Sequence, residues 1–465
     1  MTSKLPLVAS FKTSCTRALS AQTSARTKQL NSQNSYRLPA EELKTTTLEN
    51  GLTLHSQENH SPITRIVIAT KAGARYEDGS NLGLTHILRS VAGITTKNSS
   101  TFAITKNIEW VGGNLYSTST RDHMIYTLEC NRDHAASAIN FLNDVVFAPE
   151  FRPWELEDAL PRLRTELSLF QNNQGARLMD ALHKASFRGG LANSLFIEPD
   201  LIGKIKSSQL KDFCTSHITG PRTVVSAVGV EHERLVHIYK KLTKLSSSSA
   251  DEGMTGKFNP SGGEVRVEMP SCKNTMVALA MEASGLANSK EALAFEVVKH
   301  ILGMSKARVP FSELGATQLG QAVLASKPAH PFSVGSFTAA YSNTGMFGIV
   351  LAAHPKEVGS VARAAITAVR SLSKGVSEVD LGAAKQKAKY AIGKRESKHT
   401  KIAYNTAIQQ LTQGAPHSYE QAVQVIDSMS AQDISAVAQK MSRVKPSMAA
   451  VGKLYHTPHL DELLQ

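Results

Sequence analysis

The chain has 465 residues, of which 41% are hydrophobic and 20% are charged, a balance typical of globular domains and not of disordered or fibrous chains. No uninterrupted apolar run approaches the roughly 18 residues of a membrane-spanning helix, so the sequence predicts that the chain itself does not cross a bilayer. The net charge of +13 comes without a basic patch interleaved with aromatic residues, which argues against a nucleic-acid partner.

The first 40 residues contain no Asp or Glu, and they combine six Lys and Arg residues with many Ser and Thr. This composition is typical of a mitochondrial transit peptide, and a disordered basic tail is the alternative. We assign residues 1–37 to a transit peptide and disordered leader. Of the 52 Lys and Arg residues, 46 remain beyond it against 39 acidic residues, so the rest of the chain is only mildly basic.

Hydrophobic periodicity predicts strands and helices along the first half of the chain. The predicted strands are 52–54, 65–71, 126–130 and 223–229, and the predicted helices are 81–92, 133–146, 156–171 and 208–217. The helix at 156–171 is the clearest, because leucines recur along it at three- and four-residue spacing.

The second half repeats this order at an offset of about 220 residues. The predicted strands are 275–282, 347–352 and 447–452, and the predicted helices are 291–302, 356–372, 380–394 and 431–441. Such an offset is too long for a solenoid repeat. The pattern therefore predicts two similar α+β domains that arose by duplication.

Residues 245–263 are rich in Ser, Gly and Pro, the composition of a linker. We therefore predict an N-terminal domain over 38–244, a linker over 245–263 and a C-terminal domain over 264–465. Two duplicated domains on such a tether commonly face one another, and the cleft between them is the default place for a ligand.

The sequence offers no motif for a cofactor. It has no phosphate-binding loop, no dinucleotide fingerprint and no nucleophile elbow. Its four cysteines include no pair at C-x-x-C spacing, which argues against a disulfide framework and a structural zinc site and suits a reducing compartment. We therefore predict no bound cofactor.

Several segments together carry a family resemblance. Residues 84–90 read LTHILRS, residues 112–130 GGNLYSTSTRDHMIYTLEC, residues 340–348 AYSNTGMFG and residues 456–463 HTPHLDEL. Over about 38–465, the chain resembles the pitrilysin-type metallopeptidases and their relatives, the mitochondrial processing peptidases and the core proteins of respiratory complex III. The resemblance implies two peptidase-like domains, each a mixed, mostly antiparallel sheet packed with helices.

The family's enzymes carry an inverted zinc motif, H-x-x-E-H, with a distant Glu as a further ligand. In this chain, the resemblance places His86 at the first His, Arg89 at the general base, Ser90 at the second His and Glu166 at the distant ligand. Arginine stays protonated and repels a divalent cation, and serine is a poor zinc ligand. We therefore expect neither metal nor catalytic residues here, with Glu166 free to pair with Arg89 and His86 packed or hydrogen-bonded in its helix.

The resemblance favours the core-protein branch of the family. The peptidase alpha subunits carry a long glycine-rich loop, whereas the matching residues 302–320 have no glycine run, and the beta subunits keep the full zinc motif. It implies a non-catalytic subunit on the matrix side of the mitochondrial inner membrane, paired with the first core protein. Cytochrome b, the c-type cytochrome and the iron–sulfur subunit of complex III would be its further partners and would hold the redox cofactors.

A second hypothesis stays open from the sequence. The chain could be a non-catalytic or regulatory subunit of a mitochondrial presequence-processing metallopeptidase. Family peptidases add a substrate strand at the sheet edge that corresponds to residues 115–120. In this chain the edge could bind a leader peptide or only pack against a neighbouring protein, and we favour packing.

Overall fold

The computed structural model describes residues 42–241, 245–247, 257–305, 317–396 and 399–465. The predicted leader and part of the predicted linker lie outside these ranges, as do residues 306–316 of the segment that was compared with the glycine-rich loop. The described chain alternates strands and helices in two successive halves.

In the first half the strands are β1 (Lys44–Thr47), β2 (Thr53–Gln57), β3 (Ile63–Thr70), β4 (Asn114–Ser119), β5 (Met124–Asn131), β6 (Phe187–Arg188) and β7 (Thr223–Val228). The helices are α1 (Leu84–Ser90), α2 (Thr101–Trp110), α3 (Ala135–Phe147), α4 (Pro153–Asn172), α5 (Gln174–Ser186), α6 (Ser207–His217) and α7 (His232–Lys240).

In the second half the strands are β8 (Lys257–Phe258), β9 (Glu264–Glu268), β10 (Thr275–Ser284), β11 (Met304–Ser305), β12 (Ser333–Ala340), β13 (Thr344–Ala353) and β14 (Ser447–Gly452). The helices are α8 (Ser289–Leu302), α9 (Gln318–Ala325), α10 (Val358–Ser371), α11 (Glu378–Glu396), α12 (His399–Gln413), α13 (Tyr419–Ser428), α14 (Ala431–Arg443) and α15 (Leu460–Leu464).

Each half builds one six-stranded sheet with the same core order. The first sheet runs β1-β2-β7-β3-β5-β4, and the second, read from its opposite edge, runs β9-β14-β10-β13-β12-β11. Only the β2–β7 and β9–β14 pairs are parallel, and the other pairs in both sheets are antiparallel. The predicted fold class, α+β with two duplicated domains, is confirmed.

The central strands are buried on both faces, which explains their nearly continuous apolar sequence. In β3, Ile66 and Ile68 join the core beneath α1, α3 and α6, whereas Val67 and Ala69 point to the opposite face. Because successive side chains of a strand alternate between faces, each sheet needs a helical cover on both sides.

The cover of the second face is exchanged between the halves. Helix α12, from the second half, lays Ala403, Ala407 and Leu411 against β3, β5 and β7 of the first sheet. Helix α5, from the first half, lays Leu178 and Leu182 against β10 and β14 of the second sheet. Alanines on α12 and on β10 allow close approach at these contacts, and each half contributes to the other's core.

Candidate functional site

Helix α1 carries three of the four residues that the resemblance singled out, and a buried carboxylate fixes where it begins. Glu77 accepts hydrogen bonds from the backbone N–H groups of Gly83 (2.8 Å) and Thr85 (2.7 Å) at the start of the helix. Burial raises the pKa of Glu77 to about 7, against the hydrogen bonds that favour its charged form. Gly83 has φ +83°, and a Cβ there would lie 2.6 Å from Ile197, so the turn requires glycine.

The structure brings the four residues together around one carboxylate oxygen. Glu166, on α4, accepts through Oε2 from His86 Nε2 (3.1 Å), Arg89 Nη2 (3.2 Å) and Ser90 Oγ (3.0 Å). Its other oxygen accepts from Arg162 Nε at 3.1 Å. The cluster therefore ties α1 to α4 through one ion pair, with Arg89, and two hydrogen bonds from uncharged donors, His86 and Ser90.

The hydrogen-bond directions fix the proton on His86. The backbone N–H of Ile197 donates to His86 Nδ1 (3.3 Å), so the neutral ring carries its proton on Nε2 and donates it to Glu166. Burial and then the charge of Arg89 lower the pKa of His86 to about 4. Burial alone would raise the pKa of Glu166, but hydrogen bonds from Ser90, His86 and Arg162 hold it below its usual value.

Aromatic rings close the cluster on the side of the loop that follows β6. Phe196 packs edge-to-face against His86, with ring centroids 5.1 Å apart, and stacks on Phe170 at 4.2 Å. The Arg89 guanidinium lies over the same ring, 5.3 Å from its centroid. Phe196 thus shields the ion pair from water on this side and holds the guanidinium in place.

These residues do not fit a catalytic zinc ion. Zinc needs unprotonated nitrogen or carboxylate ligands, and His86 Nε2 instead presents a proton. Ser90 offers a neutral hydroxyl, and Arg89 places a fixed positive charge beside the carboxylate. Within the described ranges, no three His, Cys, Asp or Glu side chains are grouped in a way that could hold a metal ion.

A second polar cluster joins the two halves of the chain. Asp122, in the turn before β5, binds Arg75 Nη1 at 2.6 Å and accepts from the N–H and hydroxyl of Ser342, both at 2.8 Å. Arg75 also donates to Asn343 at 3.0 Å. The segment 340–348, which helped to carry the resemblance, therefore contacts the first half through these polar groups.

Sequence reasoning missed two members of the site. Arg162 lies four residues before Glu166 on α4, and this spacing on a helix was an available signal for an ion pair. Phe196 lies in an irregular loop with no periodicity, and nothing in the local sequence indicates that it packs on His86 and Arg89.

The described part of the chain has no helix that is both long and apolar enough to cross a membrane. At the sheet edge near the site, β4 is the last strand, and its residues alternate between exposed and partly buried. Ser117 Oγ, on this strand, donates to the backbone carbonyl of Arg89 at 2.8 Å, which ties the edge to α1.

Two family models match most of the chain. Residues 52–199 match the model described as insulinase (peptidase family M16), and residues 204–388 match the model described as peptidase M16 inactive domain. The two matched segments follow one another and correspond broadly to the two halves of the structure.

Relatives that match along most of the chain include subunits of the cytochrome b-c1 complex and subunits of mitochondrial processing peptidases. The chain is 37% identical to human cytochrome b-c1 complex subunit 2, mitochondrial, over 91% of this chain and 92% of the relative. It is 31% identical to the mitochondrial-processing peptidase subunit alpha of Solanum tuberosum, over 90% of this chain and 83% of that relative. A chain of the Inz-5-bound Complex III2 from Candida albicans has the same fold, with a TM-score of 0.78, 18% identity, and coverage of 91% of this chain and 99% of that one.

Proposed function

The chain belongs to peptidase family M16, and from that premise we propose that it is a non-catalytic core subunit, core protein 2, of mitochondrial ubiquinol–cytochrome c reductase. The observation that carries this proposal is the likeness to subunit 2 of the cytochrome b-c1 complex along nearly the whole chain. The subunit acts as a scaffold for the assembly and stability of a complex that passes electrons from ubiquinol to cytochrome c.

The chemistry of the α1–α4 cluster supports a non-catalytic role. Hydrolysis by this family needs a carboxylate that takes a proton from zinc-bound water, and Arg89 stands at that position. A guanidinium stays protonated at any working pH and cannot serve as a base. The sites at His86, Arg89, Ser90 and Glu166 are in this reading the remnant of a metal centre, now a structural ion-pair cluster.

The finer placement of the subunit is part of the same proposal. We place it on the matrix side of the inner membrane, bound peripherally through its partners, namely the first core protein, cytochrome b, the c-type cytochrome and the iron–sulfur subunit. Residues 1–37 would direct import as a transit peptide and then be removed. The division into domains over 38–244 and 264–465, with a linker over 245–263, is proposed together with this role.

A second candidate function rests on the likeness to processing-peptidase alpha subunits. In that role the chain would bind presequences for a catalytic partner. The lower identity to these proteins than to subunit 2 makes this the less favoured reading.

One experiment separates the two candidates. Inner membranes are solubilised gently, and the native assembly that contains the chain is separated by electrophoresis. The proposal expects comigration with b-type and c-type haem absorbance, no stoichiometric zinc in the chain and no presequence cleavage. A haem-free matrix heterodimer that cleaves presequences in a chelator-sensitive way would contradict it and support the second candidate.

A further inference from the structure

A groove lies on the surface of the first half of the chain, and none of the four residues of the α1–α4 cluster lines it. It has a volume of about 740 Å³ and runs between the turn that joins α3 to α4 and the helix α6. Its walls combine apolar and basic side chains, including Trp154, Ile218, Lys97 and Lys211. The scaffold role proposed above assigns no function to this groove.

The rim of the groove is held in a strained conformation. Phe151 has φ +47°, a left-handed backbone that a bulky side chain rarely adopts. Its side chain is nevertheless buried, and its carbonyl accepts from Ser207 Oγ at 2.5 Å, so the surrounding structure enforces this turn. Backbone strain of this kind concentrates at binding surfaces, where it positions the neighbouring side chains.

The strained turn presents an aromatic side chain to solvent. Trp154, at the start of α4, is 60% exposed. The next residue, Glu155, accepts hydrogen bonds from the hydroxyls of Thr95 and Thr101, which hold this end of the helix in place. The Arg152 guanidinium lies 5.8 Å from the Trp154 ring centroid and is itself paired with Glu150. Trp and Arg are, with Tyr, the residue types most enriched among the side chains that carry the binding energy of protein interfaces.

The charges of the groove indicate what it binds. Four charged side chains line it, and the pairing of Glu150 with Arg152 leaves the ammonium groups of Lys97 and Lys211 without a carboxylate partner within the described residues. The lining therefore has two uncompensated positive charges beside an exposed indole. An occupant that supplies both carboxylates and an apolar side chain complements this surface.

We propose that the groove docks a short acidic segment of another polypeptide, which packs an apolar side chain on Trp154 and pairs carboxylates with Lys97 and Lys211. An anionic lipid surface fits less well, because the site is a groove between a turn and the helix α6, which admits a narrow polypeptide segment and not a broad, flat surface. The inference rests on the proposed function only in that it supposes a neighbouring subunit.

Carbodiimide cross-linking of the isolated native assembly tests the proposal, because this reagent joins Lys directly to Asp or Glu without a spacer. Mass spectrometry is expected to find Lys97 and Lys211 coupled to acidic residues of another subunit. Trp154→Ala is expected to lower the yield of these cross-links at least tenfold. Tyr455→Ala, at a residue that is 93% exposed and remote from the groove in sequence, is the matched control and should leave the yield unchanged.

The other occupants give distinct results that would overturn the proposal. If both lysines are cross-linked only to acidic residues of this same chain, then a segment of the chain itself covers the groove. Binding to phosphatidylcholine vesicles with an anionic phospholipid, lost in Trp154→Ala and without cross-links to another subunit, would mean a membrane surface. Intact haem comigration together with either result would refute the groove assignment and leave the scaffold function standing.

Discussion

Replacing Leu182 by Ala is expected to loosen the second domain, although the residue belongs to the first half of the chain. Leu182 is fully buried on α5 and packs with Ala278 and Ala280 of β10 and with Val451 of β14. A Leu→Ala change at such a site leaves a cavity and costs about 3 kcal/mol. If α5 and the second sheet open together, the amides of β10 and β14 should exchange with solvent roughly 150-fold faster, since about 1.4 kcal/mol is a factor of ten.

Hydrogen exchange followed by mass spectrometry in the native assembly measures this directly. The matched control is Leu169→Ala on α4, where the side chain is 68% exposed and its removal leaves no cavity. Faster hydrogen exchange in α5 alone, with unchanged rates in β10 and β14, would refute the view that α5 stabilises the sheet of the second half.

Three further predictions concern the polar clusters. Arg89→Glu is expected to cost about 1–3 kcal/mol, because it places a second carboxylate beside Glu166, and to yield no presequence cleavage; thermal unfolding and a cleavage assay check both, and unchanged stability would refute the ion-pair reading. The pKa of His86 is about 4 in the folded protein and 6.5 in the unfolded chain, so the folded state favours the neutral ring. The resulting contribution to the free energy of unfolding is complete above pH 6.5 and is lost as the pH falls towards 4. Between pH 7 and pH 5, urea titrations should show that the free energy of unfolding falls by about 2 kcal/mol less in His86→Gln than in the wild type, because glutamine does not titrate. An unaltered pH dependence would contradict the assigned pKa. Asp122→Asn is expected to cost about 3 kcal/mol, because it leaves the buried Arg75 without a counter-charge, with faster proteolysis near residues 340–348 as the readout and wild-type resistance as the contrary result.

Much of the fold could be predicted from the sequence because its central strands and amphipathic helices carry strong local patterns. The strand predicted over 65–71 is β3, Ile63–Thr70, and the helix predicted over 156–171 is α4, Pro153–Asn172. The helix predicted over 81–92 is shorter, Leu84–Ser90, because Glu77 and Gly83 fix its start and the chain turns after Ser90.

The exchanged helices could not be assigned from the sequence. Helices α5 and α12 show apolar stripes, but the sheets that they cover are formed by strands of the opposite half. A stripe shows that a helical face is buried and not which surface buries it.

The candidate site was predictable in its members and not in its proton positions. The resemblance pointed to His86, Arg89, Ser90 and Glu166, which the structure brings into contact. The tautomer of His86 depends on the N–H of Ile197, which lies in an irregular loop, and only the folded geometry reveals that this nitrogen faces the ring.

The exchange of α5 and α12 constrains how the molecule can mature. A chain that is synthesised, or threaded through a translocation pore, with its amino end leading completes the strands of its first sheet at Val228. One face of that sheet then waits for α12, which ends only at Gln413. During this interval an apolar surface is exposed to chaperones and to misassembly, so the first half cannot complete its core until most of the second half has emerged.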